Sequence, residues 1–178
     1  FNAYGEAGAI VTDHKELYEN MSMLRYAGTF NKEECLMPSL NGKIDTLQAA
    51  MMLVSLKYIH KKIEKRSWIA NIYRQSLKDL VVCPEEDEQV KLAYYNYTII
   101  AEDRDNLKQY LTDKGIETKI QHPILMPNQK AYQHLTNKYK IPNAERLVNR
   151  ILCLPINEKL IPDQQEYVIN SIKDFYAG

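Results

Sequence analysis

Asn41-Gly42-Lys43-Ile44-Asp45-Thr46-Leu47-Gln48-Ala49-Ala50 marks the point where an irregular segment gives way to the longest regular pattern in the chain. Upstream, Thr29 to Gly42 shows no clear period and holds Pro38 and Gly42, so it reads as an exposed loop. Downstream, Ile44 to about Leu80 contains neither Gly nor Pro. Its apolar positions Leu47, Met51, Val54 and Tyr58, then Ile59, Ile63, Ile69, Ile72 and Leu80, keep a helical stripe. Unbroken, that helix would run roughly 50 Å at 1.5 Å per residue, long for one small globule, so a bend is expected near Lys61-Lys62-Ile63-Glu64-Lys65-Arg66. This charged run reads as a solvated face.

Before the loop, Ala9-Ile10-Val11-Thr12 is apolar and β-branched and predicts a short strand. Asp13, with Glu16 three positions later, has the pattern of a capping box that opens a helix. Leu17, Met21 and Leu24 share one face of that helix, and Gly28 follows its last turn. After the long helix, Pro84 to Gln89 is an acidic connector. Leu92 to Ala101 is rich in Tyr, Thr and Ile and predicts a strand. Asp103 to Lys114 predicts a helix closed by Gly115, and Ile116 to Ile120 another strand. Short helices are expected around Gln129 to Leu135 and Asn143 to Arg150, a buried strand at Ile151 to Leu154, and a final helix opened by Pro162-Asp163. Strand and helix alternate, so the fold class is α/β, with one unit over residues 1–80, a second over 81–178, and the long helix linking them.

Composition narrows the function classes. The chain has 178 residues, 45% of them hydrophobic and 26% charged, with 23 Lys+Arg against 23 Asp+Glu. Such a balance excludes a disordered chain and argues against a nucleic-acid-binding domain, which carries a basic excess. No apolar run reaches the roughly 20 residues needed to span a bilayer, so no membrane role is expected. Cys35, Cys83 and Cys153 are odd in number and widely separated, which fits a reducing, cytoplasmic setting. Phe1-Asn2-Ala3-Tyr4-Gly5 is neither an initiator methionine nor a signal peptide, and the chain is expected to begin inside something larger. His14, His60, His122 and His134 form no ligand spacing, so no metal is expected. There is no GxSxG elbow, P-loop or GxGxxG. The thirteen tyrosines read as core and rim material.

Read as strings, three segments resemble one family: Ala3-Tyr4-Gly5-Glu6-Ala7-Gly8-Ala9-Ile10-Val11-Thr12; Asn41 to Ala50; and Leu152-Cys153-Leu154-Pro155 with Asp163-Gln164-Gln165-Glu166-Tyr167-Val168. The order and spacing are similar to those of the DegT/DnrJ/StrS nucleotide-sugar aminotransferases, fold-type I pyridoxal-phosphate enzymes. The resemblance runs along the whole chain but covers only the C-terminal half or so of the family's length. It implies the end of a large cofactor domain, a small C-terminal α/β domain, and a homodimer with shared active sites. The implied reaction moves an amino group, usually from glutamate, to a nucleotide-linked keto-sugar in two halves through pyridoxamine phosphate.

Such chemistry needs a lysine to hold the cofactor and shuttle a proton, and a carboxylate to keep the pyridine nitrogen protonated. The resemblance places both outside this chain, with the Schiff-base lysine just before Phe1, so the 178 residues alone are expected to be inactive. It makes Asn41 the residue that reaches the partner subunit's cofactor phosphate; as an amide before Ile44 it could also be a helix N-cap, and the resemblance alone puts the cofactor role ahead. Lys43 stands where the family usually has arginine, keeping the charge and losing the bidentate fork. Tyr4 and Glu6 of the first motif, and His122 in the loop Gln121-His122-Pro123-Ile124-Leu125-Met126-Pro127, are the candidate substrate contacts. The family has a histidine-tyrosine-proline string and a later histidine in that loop; here His122 is displaced by one position and Pro127 stands in place of the later histidine, so a plain strand-to-helix connection is an equal reading. Two rival functions stand beside the aminotransferase: a dehydratase with histidine in place of the lysine, and a non-enzymatic dimerising or regulatory module.

Overall fold

The computed structural model describes residues 3–87, 89–135 and 140–178; Phe1, and Glu88 of the acidic connector, lie outside them. The chain forms two compact units, Phe1–His60 and Lys61–Gly178.

The first unit contains α1 (Lys15–Arg25), a two-stranded antiparallel hairpin of β1 (Thr29–Phe30) and β2 (Glu34–Cys35), and α2 (Thr46–Leu56). The expected strand at Ala9–Thr12 is absent. That segment is unpaired, with Val11 92% and Ile10 75% exposed; β-branched residues favour a strand, but only a partner makes one. The cap also differs, because His14 holds the N-cap position of α1, and Thr12 Oγ1 accepts its N–H at 3.1 Å. At the other end the expected glycine exit is present. Gly28, at φ +73°, donates its N–H to Met23 at 2.8 Å. A Cβ there would come within 1.7 Å of the Met37 carbonyl oxygen, so only glycine fits.

The segment expected to be a plain loop therefore folds back on the end of α1. The hairpin pairs Thr29 with Cys35, the Ala27 N–H donates to Leu40, the Gly42 N–H to Arg25, and Ser39 Oγ to the Leu24 carbonyl. The long helix is broken earlier than expected. α2 stops at Leu56, where Lys57 and Tyr58 donate to Val54 and Ser55 three residues back, and α3 (Ile59–Leu77) starts afresh. No Gly or Pro announces that break. The charged run lies inside α3, and it is not simply solvated: Lys62 and Arg66, on one face, both pair with Glu158.

The second unit holds the buried core. β3 (Tyr97–Ile100) pairs antiparallel with β4 (Ile151–Leu154), placing Tyr97 opposite Leu154 and Ile99 opposite Leu152. Single bridges at Val82 and Lys119 extend this sheet on either side, so the strands expected over 92–101 and 116–120 shrink to four residues and one bridge. The inward residues of β3 and β4 meet the apolar faces of α3 (Ile69, Ala70, Tyr73, Leu77), α4 (Arg104–Asp113; Leu107, Leu111) and α6 (Pro162–Ala177; Val168, Ile169, Ile172). Each fully buried Leu or Ile contributes about 1.5–3 kcal/mol relative to exposure. Gln165, buried on α6, donates Nε2 to the Ile69 carbonyl at 2.8 Å and locks α6 to α3. Gly115, at φ +75°, ends α4 as expected, and Pro162 opens α6. Short 3-10 turns at Met126–Asn128 and Lys130–Leu135 and the helix α5 (Pro142–Leu147) occupy the intervening stretch. The layout mixes helix and sheet, and the sheet is antiparallel.

Candidate cofactor and substrate site

The exit of α1 builds the loop that carries Asn41 and Lys43. Tyr26, the first residue past α1, forms an antiparallel bridge with Asn41, and Lys43 Nζ sits 4.3 Å from the Tyr26 ring centroid. Backbone atoms make the bridge, so the Asn41 amide is left exposed, with no hydrogen bond among the described residues. Asn41 does not cap α2: the N-cap there is Asp45, and Asn41 lies outside the first turn. The alternative of a helix cap is thereby removed, and Asn41 and Lys43 stand together beside Tyr26.

Tyr4 and Glu6 belong to the extended segment before α1. Tyr4 is 75% exposed and the Glu6 side chain is exposed, while the Glu6 backbone carbonyl accepts a hydrogen bond from Gln48 Nε2 at 3.2 Å. Gln48 joins the first motif to the second, a role not read from the sequence. The signal available was an amide set among Leu47, Ala49, Ala50 and Met51. His122 belongs to the second unit, exposed, at φ +57° in the loop ahead of the first 3-10 turn.

Other polar groups offer little acid–base chemistry. Burial pushes the Tyr73, Tyr94 and Tyr97 phenols well above their ordinary range, and the Glu86 carboxylate that accepts from Tyr94 at 2.5 Å adds to the effect. These phenols remain protonated at neutral pH; Tyr73 donates to the Pro155 carbonyl and Tyr94 to Glu86, whereas the buried Tyr97 hydroxyl has no hydrogen-bond partner among the described residues. The Cys83 thiol is likewise pushed up by burial. An apolar cleft lined by Val82, Cys83, Leu92, Tyr95, Thr98 and Ile100 opens on the second unit, and none of the candidate residues lines it. No cluster of metal-ligating side chains exists among the described residues, and no helix is long and apolar enough to cross a membrane.

The donor set fits a phosphate. A free side-chain amide and an exposed ammonium are the groups that bind a phosphoryl dianion. They fit one end of pyridoxal phosphate.

This mixed α/β chain belongs to the DegT/DnrJ/EryC1/StrS aminotransferase family, which it matches over residues 1–173, and corresponds to a C-terminal portion of it. It is 32% identical to a "pleiotropic regulatory protein" of Geobacillus stearothermophilus over 98% of this chain and 48% of that one. It is 28% identical to the dTDP-3-amino-3,6-dideoxy-alpha-D-galactopyranose transaminase of Aneurinibacillus thermoaerophilus, over 94% and 46%. Among solved structures, NtdA of Bacillus subtilis with bound cofactor PMP superposes with a TM-score of 0.91 at 25% identity, covering 100% of this chain and 43% of that one. The chain thus spans about half the length of the curated relatives it matches.

Proposed function

We propose that this chain is part of a pyridoxal-phosphate-dependent aminotransferase that transfers an amino group, from glutamate, to a nucleotide-linked keto-sugar in the cytoplasm. The family match over residues 1–173 carries this reading, and the relative named as a dTDP-amino-sugar transaminase supports the substrate class. Pyridoxal phosphate would supply the electron sink for the transfer. Asn41 and Lys43 would hold its phosphate, reaching it on the opposite subunit of a homodimer. Residues 1–80 would complete the large domain of a fold-type I enzyme, with the helical stretch leading into a small domain over 81–178. Tyr4, Glu6 and His122 would contact the sugar nucleotide, the exposed Tyr4 and His122 side chains donating to its oxygens and the Glu6 carboxylate accepting from its hydroxyls. The 178 residues alone would be inactive, because the cofactor lysine matches none of their positions.

Asn41→Ala in the full-length protein tests the contact. Removing one donor from a charged phosphate forfeits about 1.5–3 kcal/mol, roughly tenfold to a hundredfold in cofactor affinity. Because the Tyr26 bridge uses backbone atoms alone, melting of the apo-protein should stay within about 0.5 kcal/mol of wild type. Mixing this variant with one lacking the cofactor lysine should restore activity on subunit exchange, since one site of each mixed dimer is then intact. Unchanged cofactor affinity refutes the contact, and no recovery in proven heterodimers refutes the cross-subunit geometry.

A second reading, a dimerising regulatory module, draws on the relative named as a pleiotropic regulatory protein. A full-length preparation with no pyridoxal absorbance band, and none after adding the cofactor, would favour it.

A further inference from the structure

Gln48 sits in α2 among Leu, Ala, Met and Val residues. An amide in such company needs partners, since its donors and its acceptor lose water on burial. Nε2 finds one 42 positions away in sequence, the Glu6 carbonyl, at 3.2 Å. Among the described residues this is the only hydrogen bond made by residues 3–11. Oε1 is shielded from solvent and has no hydrogen-bond partner among the described residues. Gly5 passes close to it at φ +155°, where an added Cβ would lie 3.3 Å from that oxygen. A buried acceptor left unpaired is a cost that folds rarely carry without use.

We infer that Gln48 is a positioning residue, whose side-chain amide clamps the Gly5-Glu6 backbone onto α2 and so fixes the first motif relative to the loop that bears Asn41. That loop runs straight into α2, so one side chain ties the two motifs together. The inference rests on the aminotransferase reading, in which the cofactor lysine lies just ahead of the clamped segment and inherits its position.

Two variants of the full-length protein test it. Gln48→Met keeps the side-chain length and the helix and removes both polar ends, whereas Gln48→Glu keeps the volume and, as a carboxylate, lacks the donor. In each apo-protein the rate of cleavage at the Glu6-Ala7 bond by a glutamate-specific protease reads release of the segment. Pyridoxal-phosphate affinity is measured on the same samples. Loss of one neutral hydrogen bond should speed cleavage about two- to tenfold and weaken cofactor binding by a similar factor in both variants. Unchanged cleavage beside normal wild-type cofactor binding overturns the clamp alone. Faster cleavage with unchanged cofactor affinity overturns the positioning role and leaves a purely structural contact. A wild-type protein that binds no pyridoxal phosphate overturns the aminotransferase reading, and the cofactor role of Gln48 with it.

Discussion

Glu158 receives two cations that α3 sets one turn apart, Lys62 at 3.7 Å and Arg66 at 3.1 Å, and Arg66 also donates to the Tyr94 carbonyl at 3.2 Å. Three segments distant in sequence meet there, all half-buried. The Glu158 carboxyl is held below the usual carboxylate range first by its own backbone N–H and further by Arg66 and Lys62, against a desolvation that pushes it up. A depressed carboxyl binds protons more weakly when folded than when unfolded. Its stabilisation is therefore present above the ordinary value of about 4.3 and is lost as pH falls through the lower folded value. Glu158→Gln should lower stability by on the order of 1 kcal/mol at pH 7, and the gap to wild type should close in acid. Urea unfolding of both proteins across that range checks it; a gap that stays constant down to acid pH would show that charge is not the cause.

Among the elements, the α1 exit and its hairpin do the most to place the candidate site. Gly28 turns the chain, the hairpin returns it, and the Tyr26-Asn41 bridge and the Gly42-to-Arg25 hydrogen bond fix where the loop leaves for α2. Gly28→Ala must relieve both a positive φ and a Cβ placed inside the Met37 carbonyl, at a cost on the order of 2 kcal/mol or more. The variant should unfold at lower urea and retain pyridoxal phosphate less well, because the Asn41 loop shifts with the turn. Stability within about 0.5 kcal/mol of wild type would show that the turn is not the anchor described here. The helix exits at Gly28 and Gly115 and the start at Pro162 were legible in the sequence because each is written in one local residue type. The hairpin was not: nothing in Thr29 to Cys35 signals that its two short strands pair with each other and return the chain to the Tyr26-Asn41 bridge. The break at Lys57-Tyr58 was hidden for a related reason, as it is made by backbone hydrogen bonds and carries no breaker residue.

At the scale of the whole molecule the two units differ in kind. All the fully buried apolar side chains among the described residues belong to the second unit, whereas α1 and α2 bury none. α2 is nevertheless apolar over most of its length, with Leu47 72% and Leu53 64% exposed. Val11 and Leu40 extend the same character into the segments around it. In the aminotransferase account those surfaces meet the rest of the large domain and the second subunit. The unpaired Ala9–Thr12 segment follows the same logic: its composition is that of a strand, and in that account its partner would be another strand of the large domain. Sequence strings singled out Asn41 and Lys43 as candidates, and the structure sets both beside Tyr26. Gln48 escaped because its partner is a backbone carbonyl, which no side-chain pattern records.

On the proposed function these residues would complete an aminotransferase whose covalent cofactor anchor lies outside them. Borohydride reduction of the full-length protein with pyridoxal phosphate, followed by peptide mapping, tests it most directly. One pyridoxyl-modified lysine is expected just upstream of Phe1, and none at stoichiometric level within residues 1–178. Stoichiometric modification of a single lysine inside this chain would contradict it, and bound cofactor with no modified lysine at all would favour the histidine-bearing dehydratase.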